Sequence, residues 1–291
     1  MKRHAYLIIA HHEFDVLAHL IAALDDERNS IFIHFDKKVL KLPNLVCHHA
    51  KLILLDNRID VRWGDVSQIE VELSLFDTAF HHAEYAYYHL MSGVDIPLKS
   101  QDYIHEFFER HFGKEFIGFT SGDISKQLER KVKRYHLFSK NFGRKNGLDQ
   151  LVKRIIRSVF MQLQIKLNLY RSKNIEFKKG TNWVSVTHNF VRHILSQKHT
   201  ILKTYQHTFC ADEIYKQTIC WHSHFRKYIY DLEDEANGSQ RIIQWQNNQI
   251  FDWTLEDLPT LLASDLLFAR KFNGQSLELL TKIANHNISN K

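Results

Sequence analysis

His89-Leu90-Met91-Ser92-Gly93-Val94-Asp95-Ile96-Pro97-Leu98 is an apolar run that ends in Ser-Gly, a single acid and a proline. In an α/β sheet such a run reads as a buried strand that opens into a loop at its carboxyl end. Ligands bind at that edge of open parallel sheets. A carboxylate held there between a Gly turn and Pro97 is placed to meet a polar substrate. The same Asp95 can equally do no more than tie off backbone donors in a strand-to-helix turn. The decapeptide alone leaves both readings open.

Its surroundings set the fold class. Residues 4–11 (HAYLIIAH), 31–36 (IFIHFD) and 51–56 (KLILLD) are short apolar runs of strand type, and 85–91 is a fourth. Between them, 13–24 carries Phe14, Leu17, Leu20, Ile21 and Leu24 at helical spacing, and 67–83 reads as a second helix. A helix over 100–112 follows, with Ser100 as its N-cap, then a short strand over 115–119. Strand character returns at 181–187, and the end of the chain carries the segments 240–245 and 266–272. Strands alternating with helices predict an α/β protein with a mostly parallel sheet and right-handed crossovers. The 291 residues suit one large domain, with no repeat or low-complexity linker to divide it. We expect a nucleotide-binding half over 1–120 and an acceptor-binding, catalytic half over 121–291.

Charge is uneven along the chain. Residues 126–179 hold sixteen Lys and Arg against Glu129, Asp149 and Glu176, so this segment carries +13 and the remainder −7 of a net +6. Such a segment suggests an anionic partner surface. Within it, 151–170 has an apolar helical stripe flanked by Lys153, Arg154, Arg157 and Lys166. One reading is a helix packed on the core with a basic outer face; the other is an interfacial helix on anionic lipid. No apolar stretch is long enough to cross a bilayer, and 4–11 is too short and strand-like for a secretory signal. The three cysteines, Cys47, Cys210 and Cys220, form no C-x-x-C pair and read as free thiols. A cytoplasmic protein is expected, with peripheral contact at the inner membrane face if the lipid reading holds.

Several residues could carry chemistry. Neither G-x-G-x-x-G nor a P-loop is present, and Asp-x-Asp, a metal-holding pair of many sugar-nucleotide transferases, is absent. Fixed cations can neutralise a diphosphate instead, and Arg270-Lys271, between Phe268 and Phe272, suit that role or else form a solvated pair at an element end. Asp212-Glu213 starts a helix: either both acids cap it, or Asp212 caps and Glu213 serves as a general base. The histidine pairs His11-His12, His48-His49 and His81-His82 are poorly spaced to chelate one ion, because neighbours on a strand face opposite ways. His222 and His224 lack an acid partner in the sequence. No divalent metal and no nucleic acid are expected as partners.

Taken in order, AYLIIAHHEF (5–14), IFIHFDKK (31–38), RWGDVSQIE (62–70), HLMSGVDIPLKS (89–100), ERKVKRY (129–135), GTNWVSVTHNFVRHIL (180–195), ADEIYKQT (211–218), RIIQW (241–245) and LLFARKF (266–272) span nearly the whole chain. This set resembles the core-2/I-branching β-1,6-N-acetylglucosaminyltransferases, glycosyltransferase family 14, which includes peptide O-xylosyltransferases. The short chain looks like the family's bacterial branch. The resemblance implies a GT-A-like, Rossmann-type fold and an inverting, metal-independent transfer from a UDP-sugar to a glycan acceptor. In the bacterial setting the acceptor is a surface glycan, lipid-linked in one version. By position Glu213 matches the catalytic base, and Lys271 a lysine on the donor diphosphate. Asp36 and Trp63 fall where the nucleoside is held, Asp95 in the sugar-binding loop, and Arg130 and Trp245 at acceptor contacts. The family's lysine near Arg130 stands here as Gln127, with Lys126 one position off. A second diphosphate-binding arginine has no clear equivalent; Asn248 or Gln249 lies nearest, which leaves Arg270 to substitute. Alternatives are a xylosyl or other sugar donor, or a non-catalytic sugar- or polyanion-binding protein of the same fold.

Overall fold

A computed structural model describes residues 2–142, 147–246 and 249–289. The chain runs β1 (His4–Ala10), α1 (Phe14–Ala23), β2 (Asn29–Phe35), β3 (Lys51–Leu54), α2 (Ser67–His82), β4 (Tyr87–Ser92), β5 (Asp95–Pro97) and α3 (Gln101–Arg110). It continues with α4 (Ser125–Val132), α5 (Leu148–Lys166), β6 (Ser185–Thr187), α6 (His188–Ser196), α7 (Lys198–Tyr205), α8 (Tyr215–Trp221) and α9 (Glu235–Ser239). The last elements are β7 (Arg241–Ile243), β8 (Trp245–Gln246), β9 (Gln249–Ile250), α10 (Leu258–Ala263), β10 (Phe268–Arg270) and α11 (Leu277–Ser289).

The main sheet has the order β3-β2-β1-β4-β6. Its first four strands are parallel, as expected, and β6 is antiparallel to β4. The strands β2 and β4 are buried throughout and β1 nearly so, which is why they read as unbroken apolar runs. Alternate residues feed two cores. Ala5, Leu7, Phe32 and Leu90 face α2 and α6, while Tyr6, Ile8, Ile33 and Met91 face α1 and α11.

The chain moves outward from β1 through β2 to β3, then returns across the sheet to β4 on the other side of β1. The ends of β1 and β4 therefore meet where the strand order reverses, the place where such sheets bind ligands. Gly93 closes that corner. Its N–H donates to the Ile9 carbonyl at 2.9 Å, and a Cβ there would meet the Ala10 Cβ at 3.1 Å. Two residues later the chain joins a second sheet, β5-β10-β7, so Asp95 lies on a strand rather than in the loop that the sequence suggests.

Both sheets draw strands from both halves of the chain, since β6 completes the first and β7 and β10 the second. Ser100 caps α3 as expected, accepting from the Tyr103 N–H at 3.3 Å. The strand expected over 115–119 is replaced by two isolated bridges, Glu115 to Ile229 and Phe116 to Ser185. Beyond these points the backbones approach too closely for side chains: the Thr120 N–H donates to the Lys179 carbonyl at 2.8 Å, and a Cβ on Gly180 would lie 1.8 Å from the Gly118 carbonyl oxygen. Of the expected 181–187 strand, only β6 forms a ladder.

Candidate active site

Asp95 sits at the switch point with its carboxylate buried. Its Oδ2 accepts from the Ser92 N–H at 2.8 Å, and its Oδ1 takes the Arg270 Nη1 at 2.7 Å. Burial pushes the Asp95 carboxyl up, and the Arg270 charge opposes that shift. The Arg270 guanidinium also lies over the Trp183 ring, 4.7 Å from its centroid. Arg270 is thus committed to a buried acid and an indole face. Lys271 is the freer of the two, one-third exposed, with Nζ 3.3 Å from Asp252 Oδ1.

The histidines after β1 gather these groups. Burial first, then His12, holds the His11 imidazole down at about 4, and His11 also feels the charges of Asp36 and Arg270. His12 feels Lys271, Arg270 and Asp252. At the end of β1, His11 and His12 thus lie within electrostatic range of Asp36, Arg270 and Lys271. Asp36 is buried at the end of β2, where it binds the Lys38 N–H at 2.8 Å and the Lys38 ammonium at 2.7 Å. Lys38 in turn reaches Asp60 and the Val61 carbonyl, which ties Asp36 to the segment that carries Trp63. Trp63 is 59% exposed and meets Phe209 edge-on at 5.3 Å.

Glu213 ends a single 3-10 turn, Ala211–Glu213, entered through Cys210 in the left-handed region (φ 48). Its Oε2 lies 3.0 Å from Lys131 Nζ and 3.5 Å from Lys179 Nζ, and about a third of the side chain stays exposed. Asp212 does not cap α8, contrary to the sequence reading. The turn directs its carboxylate inward, where Oδ2 accepts from Gln68 Nε2 at 2.9 Å and Oδ1 has no partner among the described residues. Burial, reinforced by the Glu213 charge, pushes the Asp212 carboxyl up to about 7. Behind the turn, the fully buried Lys216 ammonium bonds Glu72, the Asn182 Oδ1 at 2.6 Å and the Asp212 carbonyl at 3.0 Å. The Tyr215 hydroxyl adds a 2.8 Å bond to Glu72. This network fixes the turn and hence the position of Glu213.

Arg130 is exposed on α4 and lines a cavity of about 700 Å³ together with Gln127 and Lys131. Trp245 is 61% exposed on β8. Its hairpin leads into Phe251 and Trp253, whose backbones bond that of Lys271. Gln249 is exposed on β9, and Asn248 lies outside the described residues. Among the described residues no three His, Cys, Asp or Glu side chains converge on a metal position. The three cysteines are free thiols, with Cys210 and Cys220 buried.

Sequence reasoning missed Lys131, Lys179, Trp183 and the Glu72–Lys216 pair. Lys131 was within reach: it lies one helical turn beyond Gln127 on the same face of α4, where the expected lysine was lacking.

The helix expected over 151–170 forms as α5 but is turned outward. Gln150 and Gln164 are its buried residues, and the Gln164 side chain bonds both the N–H and the carbonyl of Tyr135. Leu151, Val152, Ile155, Ile156, Val159 and Leu163 are 42–54% exposed. They form one stripe opposite the glutamines. The core-packed reading is therefore overturned. The expected basic flank is also thinner, because Lys153 pairs with Asp149 at 3.3 Å and Arg157 turns in to the Asn141 carbonyl and the Phe142 ring. Among the described residues no helix is long and apolar enough to cross a membrane.

The model of the Core-2/I-Branching enzyme family matches residues 4–258. No curated protein matches the chain. Among solved structures, the apo form of mouse xyloside xylosyltransferase 1 is similar at 9% identity, over 91% of this chain and 97% of that one, with a TM-score of 0.35.

Proposed function

The chain belongs to the core-2/I-branching enzyme family and is a glycosyltransferase, and we propose that it moves N-acetylglucosamine from its UDP-sugar to a glycan hydroxyl with inversion and without a metal. Glu213 carries this reading: a part-exposed carboxylate on a fixed turn, held by two lysines, of which Lys131 also lines an open cavity. It takes the proton from the acceptor hydroxyl while that oxygen attacks the anomeric carbon. The C–O bond to UDP breaks on the opposite face, and the leaving diphosphate gains charge beside Lys271. Arg270, already paired with Asp95, shapes the sugar-facing wall and leaves the phosphates to Lys271. Asp36 and Trp63 hold the nucleoside in this scheme, and Arg130 and Trp245 the acceptor.

Lys271→Ala tests the donor half. Removing a charge-assisted contact should weaken UDP binding by about 1.5–3 kcal/mol, with or without EDTA. Calorimetry with UDP reads this directly. Unchanged affinity would return Lys271 to the solvated surface, and dependence on Mg²⁺ or Mn²⁺ would overturn the metal-free scheme.

We propose a growing bacterial surface glycan, held at the membrane, as the acceptor. The outward stripe of α5 supports this, with Arg154 and Lys166 exposed at its flanks. The protein should co-sediment with anionic vesicles and not with neutral ones, and salt should weaken the binding. Leu151→Ser, Ile155→Ser and Val159→Ser together should abolish it without unfolding the chain, since all three are solvent-exposed. Failure of the wild type to sediment at low salt would remove the membrane from the account.

A further inference from the structure

The cavity between α4 and α5 is ringed by Lys126, Arg130 and Lys131 from the first helix and Arg154 and Arg157 from the second. Among the described residues no acidic side chain lines it. Among the described residues, Lys131 is the one member of this ring with a carboxylate partner, Glu213. Burial, together with the neighbouring Arg154 charge, pushes the Arg157 guanidinium down. The ring is thus an unbalanced set of like charges around open space, which favours an anion.

The shape narrows the ligand. Phe142, Phe209 and Met161 supply apolar wall between the cations. Guanidinium forks match phosphate oxygens two at a time, and five cations exceed what a single carboxylate would balance. One wall of the cavity is α5, whose other, outward face is the apolar stripe. Lys131 meanwhile joins the cavity to Glu213. One ligand uses all three features: a hydrocarbon along α5, a diphosphate in the ring and a sugar at Glu213.

We propose that the α4–α5 cavity binds the diphosphate that links the acceptor glycan to its lipid. This rests on the transferase reading and names the acceptor class for it. The attack at Glu213 is unchanged, and the lipid diphosphate stays intact as a handle.

Calorimetry on the full chain tests the proposal, with geranyl diphosphate and inorganic pyrophosphate as probes and saturating UDP to fill the donor site. Geranyl diphosphate should bind in the presence of UDP, at least about tenfold more tightly than pyrophosphate because of its hydrocarbon. R154Q/R157Q should lose at least about 30-fold in geranyl diphosphate affinity while UDP affinity and melting temperature hold. Should that variant fold poorly, Met161→Glu places a carboxylate in the ring and should abolish binding by itself. Displacement of geranyl diphosphate by UDP, equal affinity for the two probes, or full binding by the variants would each overturn the proposal. A wild type that binds geranyl diphosphate but not UDP would instead count against the transferase reading.

Discussion

Glu213→Gln should lower turnover by about 10²–10⁴-fold and leave UDP affinity near wild type. The amide keeps the shape of the carboxylate and can still accept a hydrogen bond from Lys131 or Lys179, so the turn has no reason to move. What it loses is the ability to take a proton from an acceptor hydroxyl. The expected signature is a fall in the rate with little change in donor binding, as for an interaction made in the transition state. Wild-type turnover in this variant would sink the assignment, and a matching loss of UDP affinity would make Glu213 a donor contact.

Lys216→Met should destabilise the protein by about 3–5 kcal/mol. The Lys216 ammonium is fully buried, and its removal strands the equally buried Glu72 carboxylate, whose Oε1 has no partner among the described residues. Burial pushes the Lys216 ammonium down, and the Glu72 charge opposes that shift. A melting temperature lower by on the order of 10 °C is expected. The double variant Glu72→Met, Lys216→Met should recover part of the loss, because an apolar pair removes the stranded charge. If Lys216→Met melts within about 1 °C of wild type, the pair does not hold the Glu213 turn.

The parallel core was legible because β1, β2 and β4 are covered on both faces, and that condition writes itself as continuous apolar sequence. The second sheet was not. Its strands β5, β7 and β10 have three residues each, and β5 meets β10 across more than 170 residues of chain. Asp95 and Arg270 each looked like a substrate contact alone; only their 2.7 Å bond shows that each satisfies the other. Glu72 sits on a helix where an acid normally faces water, and nothing nearby in sequence announces Lys216. Periodicity identified α5 as amphipathic but could not say which side the body covers, since a stripe has the same spacing whether it faces a core or solvent. The polar bonds of Gln164 settle its direction, and they join residues 29 positions apart.

The most direct test of the account is release of UDP from a panel of UDP-sugars in excess EDTA, without acceptor, by wild type and by Glu213→Gln. The account predicts slow UDP release by the wild type from at least one UDP-sugar, UDP-N-acetylglucosamine first among them, and a strongly reduced rate in the variant. Binding of UDP-sugars with no UDP released by either protein would contradict it and make the chain a binding protein of transferase fold.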